Sequence, residues 1–526
     1  MRNSLKKPLI GIAAVFFAAL AGACGAQPAG QGADGTKQLV YGMEAEIDRV
    51  NPVLDESQEI DALLFRGLTK PDEQNKVTPD LAESWTISKD LLTYTFKLRE
   101  DAVWQDGEPV KADDVVFTLQ KILDPDTNTP ITGEFQEISN VRATGDYEVE
   151  LTLHRPYPPL LDKLKVGIVP KHLLEDENLA EAEFNRNPVG NGPFRLKEWK
   201  GDGTIVLERN HDYYGNKPKL DEVVFKPVPD ANTRLVQLKA GEIDLASLAP
   251  SQVEAVKDSD PIKIHEIDTA DYRAIMYNFD LEIFEDPKVR QAISLAVDRE
   301  ALVEGILDGK GEAAYGPLQK SWAAHPDAGR TGGPDPERAA QLLAEAGWEK
   351  NSDGILEKDG KLLSFELVAP AQDTVRVALA NVVSQQLKPL GIQAEPKPVD
   401  QNAVKYDGEE ALLIGWGSEF DPDDHTYRLF HSSEIGGGQY NFGKYRNEEV
   451  DRLLTEARTA ADPEERKAAY GRFLEALDED PPYTFLVYLD ALYGVNEQAS
   501  GISDRTLGHH GFGILWNIED WDKQAD

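Results

Sequence analysis

Apolar and polar residues alternate along TYTFKL (93–98). A period of two is typical of a strand with one buried face. Further on, Asp113 is placed to cap a helix whose apolar residues recur every three or four positions up to Leu123, before an Asp-Pro stop. The sequence therefore predicts a strand and a helix here. We expect Trp104, which precedes a Gln-Asp-Gly turn signal between them, to be a core residue.

The same two periods recur along the rest of the chain. Strand-like runs include YEVELTLHRP, DEVVFKPV, FELVAP, ALLIGW and TFLVYLDALYGV, and a hairpin is predicted around Gly201–Gly203. A helix is predicted from Asn232 to Ala240, and further helical patterns are DPKVRQAISLAVDREALVEGIL, DPERAAQLLAEAGW, TVRVALANVVSQQLKPLGI and EEVDRLLTEARTA. Strands that alternate with helices predict an α/β fold built around parallel or mixed sheets.

The N-terminus has the pattern of an export signal. Basic residues precede an apolar stretch of 15 residues, Leu9 to Ala23, which is shorter than the roughly 20 residues of a spanning helix. Cys24, the only cysteine, follows it directly in LAGAC. We expect residues 1–23 to be a lipoprotein signal peptide, Cys24 to carry the lipid and residues 24–36 to form a flexible tether. The alternative is a retained N-terminal anchor.

Composition narrows the class of function. The 526 residues include 94 acidic and 55 basic side chains, so the formal net charge is -39. Such a field repels nucleic acid and anionic lipid, which we exclude as binding partners. A hydrophobic fraction of 40% is that of a globular protein, and the length predicts two to four lobes. A lone cysteine forms no internal disulfide.

Six phrases carry a family resemblance. They are DLAESWTISKDLLTYTFKLREDAVWQDGEPVKADDVVFTL, NGPFRLKEW, LERNHDYYGNKPKLDEVVF, LKAGEIDL, VRQAISLAVDREALV and AAQLLAEAGW. Together they resemble the extracytoplasmic solute-binding proteins of ABC importers, specifically the peptide/nickel/opine family (family 5). The resemblance implies a two-lobed, hinged, type II periplasmic-binding-protein-like fold with an extra domain on lobe one. By similarity, lobe one is 37–65, 190–280 and 488–526, the extra domain is 66–189 and lobe two is 281–487.

The resemblance also implies where a ligand binds. In peptide-binding members, an acidic residue shortly after a Gly-Trp pair accepts the α-ammonium of the peptide. In GWGSEFDPDDH the matching position is Glu419, with Gly415 and Trp416 before it and Asp421 after it. The segment departs from the family because Glu stands where Asp is usual and because it is one residue shorter. The alternative is a solvated acidic turn, in which Asp423 and Asp424 are solvated or cap a helix near Thr426.

A peptide also has a carboxylate. Arg376, at a helix start, is a candidate partner for it, and the alternative is a surface ion pair. Possible contacts also lie after the first strand, at the expected crossing between lobes and in a double histidine near the C-terminus; they are Met43, Glu44, Glu46, Tyr277, Asn278 and His510.

Two other classes of function are alternatives to a peptide-binding protein. A metal, or a metal bound as a small chelate, would use His509, His510 and His425, although adjacent histidines diverge in a strand and rarely share one ion. An enzyme is disfavoured because the sequence has no G-x-S-x-G, no H-E-x-x-H and no Walker A spacing. We therefore predict an exported, lipid-anchored, monomeric binding protein without a cofactor. It would sit at the outer face of the cell membrane and deliver peptides to an ABC permease and its ATPase subunits.

Overall fold

A computed structural model describes residues 35–56, 58–325, 334–437 and 439–524. The predicted signal peptide, Cys24 and nearly all of the tether lie outside these residues. Within them, no helix combines the length and apolar character needed to cross a membrane.

The strands alternate with helices, as predicted. In chain order the strands are β1 (Gln38–Met43), β2 (Thr69–Pro71), β3 (Val77–Pro79), β4 (Ala82–Ile87), β5 (Thr93–Leu98), β6 (Ile138–Gly145), β7 (Glu148–Leu153), β8 (Phe194–Trp199), β9 (Ile205–Arg209), β10 (Glu222–Pro227), β11 (Leu245–Ser247), β12 (Ile262–Tyr277), β13 (Gly311–Ala313), β14 (Glu349–Lys350), β15 (Leu356–Lys358), β16 (Lys361–Leu362), β17 (Ser364–Pro370), β18 (Gln393–Val399), β19 (Ala411–Trp416), β20 (Tyr483–Asn496), β21 (Ala499–Ser500) and β22 (Asp522–Lys523).

The α-helices are mostly short outside the second half of the chain. They are α1 (Asp61–Leu64), α2 (Ala112–Leu123), α3 (Thr132–Phe135), α4 (Leu160–Lys163), α5 (Lys171–Leu174), α6 (Ala231–Lys239), α7 (Pro250–Val253), α8 (Pro287–Ala296), α9 (Arg299–Ile306), α10 (Pro336–Glu345), α11 (Thr374–Leu387), α12 (Tyr427–Phe430), α13 (Glu448–Thr459) and α14 (Pro463–Glu479).

Two long antiparallel strands, β12 and β20, join the halves of the molecule. The main sheet has the order β18-β17-β19-β12-β20-β11-β1-β10-β9-β8, with β13 paired to β20. It is mixed, since β1 runs parallel to β10 and β11 while β12 runs antiparallel to β19 and β20. The β12–β20 register is interrupted between Asp268 and Tyr272. A break of this kind bends the strand and re-aims its side chains, which places residues 268–272 where the two half-sheets meet.

A second sheet has four antiparallel strands in the order β4-β5-β7-β6 and is separate from the main sheet. In the chain, its strands and α2 follow β1 and precede β8. The predicted strand is confirmed as β5, and Trp104 is buried, as expected. The predicted N-cap of the helix was wrong, because Lys111 occupies that position and Asp113 lies in the first turn. The Asp114 carboxylate instead accepts from the Lys111 amide at 2.8 Å, which satisfies a donor at the helix start and favours its positive end.

The apolar cores follow the two-lobed division. One continuous cluster runs from β1 through the β4-β5-β7-β6 sheet to Trp521, so the region of the proposed extra domain shares its core with the first half of the main sheet. Two further clusters cover opposite faces of the β17–β19 half, one around Phe365 and the other around Phe473. The domain boundaries given above stay a prediction.

Candidate ligand-binding site

The Gly-Trp segment ends β19 directly against the crossing strand. Gly415 pairs with Arg273 of β12, and a Cβ on it would lie 2.5 Å from the Arg273 Nη1 atom. Gly417 has φ +157, and a Cβ there would overlap the backbone oxygen of Ala270. The backbone contact at Gly417 requires glycine there, whereas a Cβ at Gly415 would displace the two arginine side chains.

Two buried arginines lie beneath this segment. Arg273 donates to Asp271 on the same strand. Arg376, which is 6% exposed, lies in the first turn of α11 with its Nε atom 3.0 Å from Asp373. Burial, and then the charge of Arg273, lower the pKa of Arg376. Each guanidinium lies beside an aspartate, but the Nε atoms of Arg273 and Arg376 make no hydrogen bond, which leaves donors for an anion.

A carboxylate and two histidines meet beside the arginines. The His509 Nδ1 atom is 2.7 Å from Asp271, and the His510 amide donates to the other carboxylate oxygen at 3.1 Å. Burial opposes ionisation of Asp271, but Arg273 and then His509 outweigh it, so the pKa of Asp271 lies far below its ordinary value. Burial, and then the charge of His509, lower the pKa of His510 to about 4.

The expectation that the two histidines diverge in a strand was wrong. They lie in a 3-10 turn, His509–Gly511, and His510 has φ 57, so the ring centroids are 3.9 Å apart. In the described part of the chain, one ligand atom each from Asp271, His509 and His510 lie within 4.8 Å of one another, a spacing that could hold a metal ion. His425 is not in this group, and its side chain is buried.

Glu419 lies in the cleft between the two halves of the molecule. Its Oε2 atom would lie 2.5 Å from a Cβ on Gly508, which belongs to the C-terminal segment of the first half. Burial raises the pKa of Glu419, whereas the charges of Lys165 and then Arg505 lower it by less. Glu419 forms no ion pair with any residue that the structure describes.

The neighbouring aspartates are structural, so the expectation of a solvated turn was wrong for them. Asp421 accepts two hydrogen bonds from Arg466, at 2.8 and 2.7 Å, and also caps the following 3-10 turn. Asp423 is held in the same way by Arg458, and Asp424 pairs with Lys163. With both oxygens engaged, Asp421 has no free acceptor aimed at a ligand. Nor does an aspartate cap the helix at Thr426, whose N-cap has no side-chain bond.

The remaining candidates divide between surface and interior. Met43 is buried at the end of β1. Glu44 is exposed and accepts from Arg234 at 3.0 Å, and the exposed Glu46 lies against Gly203.

Two further candidates lie inside the second half of the molecule. Tyr277 is fully buried, with its hydroxyl 2.6 Å from the Thr484 hydroxyl. Asn278 donates its side-chain amide to Glu409 at 3.1 Å. In the described structure these two side chains therefore support packing and do not line the cleft.

Residues 76–437 match the profile of the bacterial extracellular solute-binding proteins, family 5. The chain is 35% identical to the oligopeptide-binding protein AppA of Bacillus subtilis, over 97% of this chain and 96% of the relative. The chain belongs to this family.

Solved structures of family 5 proteins have the same fold. NikZ from Campylobacter jejuni, in complex with Ni(L-His), is 40% identical with a TM-score of 0.86, over 93% of this chain and 100% of that one. AppA from Bacillus subtilis, in complex with a nonapeptide, is 34% identical with a TM-score of 0.79, over 93% and 99%. The predicted family and the two-lobed type II fold are thus confirmed. As a family 5 protein, the chain is an extracytoplasmic solute-binding component of ABC import and not an enzyme.

Sequence reasoning missed several residues of this family 5 site. Asp271 and Arg273 had a usable signal, because they are charged positions inside an otherwise apolar strand, ADYRAIMY. Lys165 and Arg505 had no usable sequence signal, because they are far from Glu419 in sequence and approach it only in the folded chain.

Proposed function

We propose that this protein captures peptides in the cleft between its lobes and hands them to an ABC permease. The observation that carries the proposal is Glu419, a half-buried carboxylate in the cleft that has no ion-pair partner among the described residues. A peptide ammonium bonded to such a group contributes roughly 1.5–3 kcal/mol. Trp416, half-buried beside it and 5.1 Å from the Tyr440 ring, offers an apolar wall.

The opposite end of the ligand has a candidate partner too. Arg376 and Arg273 lie next to Gly415, which precedes Glu419 by four residues. Four residues of extended chain span at most about 14 Å, so an ammonium at one end and a carboxylate at the other fit a short peptide. The oligopeptide-binding relative supports the same class of cargo.

The export features complete the proposal. Residues 1–23 act as a signal peptide and Cys24 carries the lipid, which tethers a monomeric binding protein at the outer face of the membrane. Cys24→Ser is expected to release the protein into the medium or periplasm. Intact mass of the membrane-bound wild type would show the added acyl mass. Wild-type protein that is recovered in the soluble fraction with an unmodified cysteine would refute anchoring.

A second cargo is favoured by one specific observation, the cluster of Asp271, His509 and His510. The relative NikZ holds nickel with histidine. The chelate would take open positions from this cluster, and its histidine carboxylate would lie near the buried arginines.

A thermal-shift panel on protein lacking residues 1–24 separates the two cargoes. It offers free tetrapeptides, their N-acetylated forms, and nickel with free histidine. A ligand at 100 times its dissociation constant adds about 2.7 kcal/mol of stability. Stabilisation by free peptides only supports peptide capture through an ammonium. Stabilisation by nickel with histidine alone refutes the peptide proposal, and loss of that effect in His509→Ala would assign the metal site.

A further inference from the structure

Glu419 and Arg505 converge on one loop, 508–513, without pairing. The loop is closed by the Gly508 amide, which donates to the Phe512 carbonyl at 3.0 Å. Glu419 Oε2 lies against Gly508, and Arg505 Nη2 would lie 3.1 Å from a Cβ on Gly513. Neither glycine has a side chain to fill the space, so both charged groups reach the loop backbone.

Arg505 is a buried cation with free donors. It is 8% exposed, and its Nε and Nη1 atoms have no hydrogen-bond partner. Its guanidinium lies 5.0 Å from the Trp516 ring centroid, which fixes its plane. Its acidic neighbour Glu59 is already engaged, because that carboxylate accepts from the amides of residues 513–515. Unmade hydrogen bonds on a buried guanidinium are costly, so this group is poised for an anion.

Lys165 brings a second cation that has no ion-pair partner among the described residues. Its Nζ atom lies 3.5 Å from the ring centroid of Phe420, the residue after Glu419. Lys165 makes no ion pair with the residues that the structure describes, and its backbone is pressed against Gly67, which fixes its position. Burial, and then the charge of Lys163, lower the pKa of Lys165 to about 8.

The charges around Glu419 decide what fits there. Glu419 faces the charges of Lys165 and Arg505, and neither cation is within ion-pair distance of it. A ligand that brings only an ammonium adds a third positive charge to a half-buried pocket. A ligand that brings an ammonium together with a carboxylate adds no net charge, and its carboxylate gives the two cations a partner.

We infer that the Glu419 subsite selects peptides whose first residue has an acidic side chain. The α-ammonium binds Glu419, and the aspartate or glutamate side chain lies between Lys165 and Arg505. This inference rests on the proposed function, since it requires that the cargo is a peptide. A free amino acid carries the same pair of charges, so the experiment includes one.

Isothermal titration calorimetry on protein lacking residues 1–24 tests this with four ligands: Glu-Ala-Ala-Ala, Gln-Ala-Ala-Ala, Lys-Ala-Ala-Ala and free glutamate. We expect the Glu peptide to bind at least about tenfold more tightly than the Gln peptide, and the Lys peptide to bind most weakly. Lys165→Met should reduce the Glu-over-Gln preference to below about threefold. Lys171→Met, at an exposed lysine nearby in sequence, should leave the preference unchanged.

Equal affinities for the Glu and Gln peptides in the wild type would overturn the inference while leaving peptide capture intact. A preference that survives Lys165→Met would also overturn it. Free glutamate that binds as tightly as the Glu peptide would replace it with an amino-acid site. If no tetrapeptide binds at all, the proposed function fails, and the inference fails with it.

Discussion

Asp423→Asn should destabilise the protein strongly although Asp423 lies in a short 3-10 turn. The Arg458 guanidinium donates to the two Asp423 oxygens at 2.9 and 2.8 Å, and the Tyr157 hydroxyl donates to one of them at 3.1 Å. The two ion-paired side chains are only 5% and 3% exposed. An asparagine keeps the shape but leaves Arg458 buried without a counter-ion, which costs about 3–5 kcal/mol.

Unfolding in guanidinium chloride, followed by tryptophan fluorescence and circular dichroism, measures this cost. The matched control is Glu449→Gln, which breaks an exposed pair with Arg452 and should change little. The double variant Asp423→Asn with Arg458→Met removes both buried charges. Its loss of unfolding free energy should be clearly less than the sum of the two single losses, because no buried charge then lacks a counter-ion.

The pH dependence gives a second readout of the same pair. Burial raises the pKa of Asp423, but Arg458 lowers it by more, so the pKa lies below its ordinary value. The stabilisation is therefore present above about pH 4, the unfolded pKa, and is lost as pH falls through the folded pKa. The difference in the free energy of unfolding between wild type and Asp423→Asn should therefore become smaller at acidic pH. A loss under about 1 kcal/mol at pH 7, or additive single losses, would refute the reasoning.

Three further predictions follow from single positions. Gly417→Ala should weaken ligand binding by at least about tenfold, because its Cβ meets a backbone oxygen of the crossing strand; Gly133→Ala, in open space, is the control for titration calorimetry. Burial lowers the pKa of His425 to about 4. The stability of the wild type should therefore fall more from pH 7 to pH 4 than that of His425→Gln. Melting temperatures that fall equally in both proteins over this range would contradict the prediction. Tyr277→Phe should cost about 1 kcal/mol by losing its bond to Thr484, without changing ligand affinity; an affinity change would place Tyr277 at the ligand.

Much of the fold was predictable because local patterns are strong where one face is buried. The hairpin at Gly201–Gly203 is β8–β9, with Gly203 at φ +81. The predicted helix at 232–240 is α6, displaced by one residue at each end. Such elements depend on periodicity and turn residues that lie within a few positions of one another.

The site was less predictable because its partners are distant in sequence. GWGSEFDPDDH marks an acidic loop, but nothing local shows that Arg466 and Arg458 bury two of its aspartates. The double histidine indicated a strand, whereas a left-handed His510 folds it into a turn. Which carboxylate stays free, Glu419, depends on these long-range pairs.

The most direct test of the central claim combines Glu419→Gln with N-acetylation of one tetrapeptide, measured by titration calorimetry. Glu198→Gln, at an exposed glutamate, is the matched control. We expect wild type and control to prefer the free peptide over the acetylated one by at least about tenfold, and Glu419→Gln to bind both forms within about threefold. If Glu419→Gln keeps the full preference for the free amino terminus, Glu419 does not hold the ammonium, and the account of this cleft is wrong.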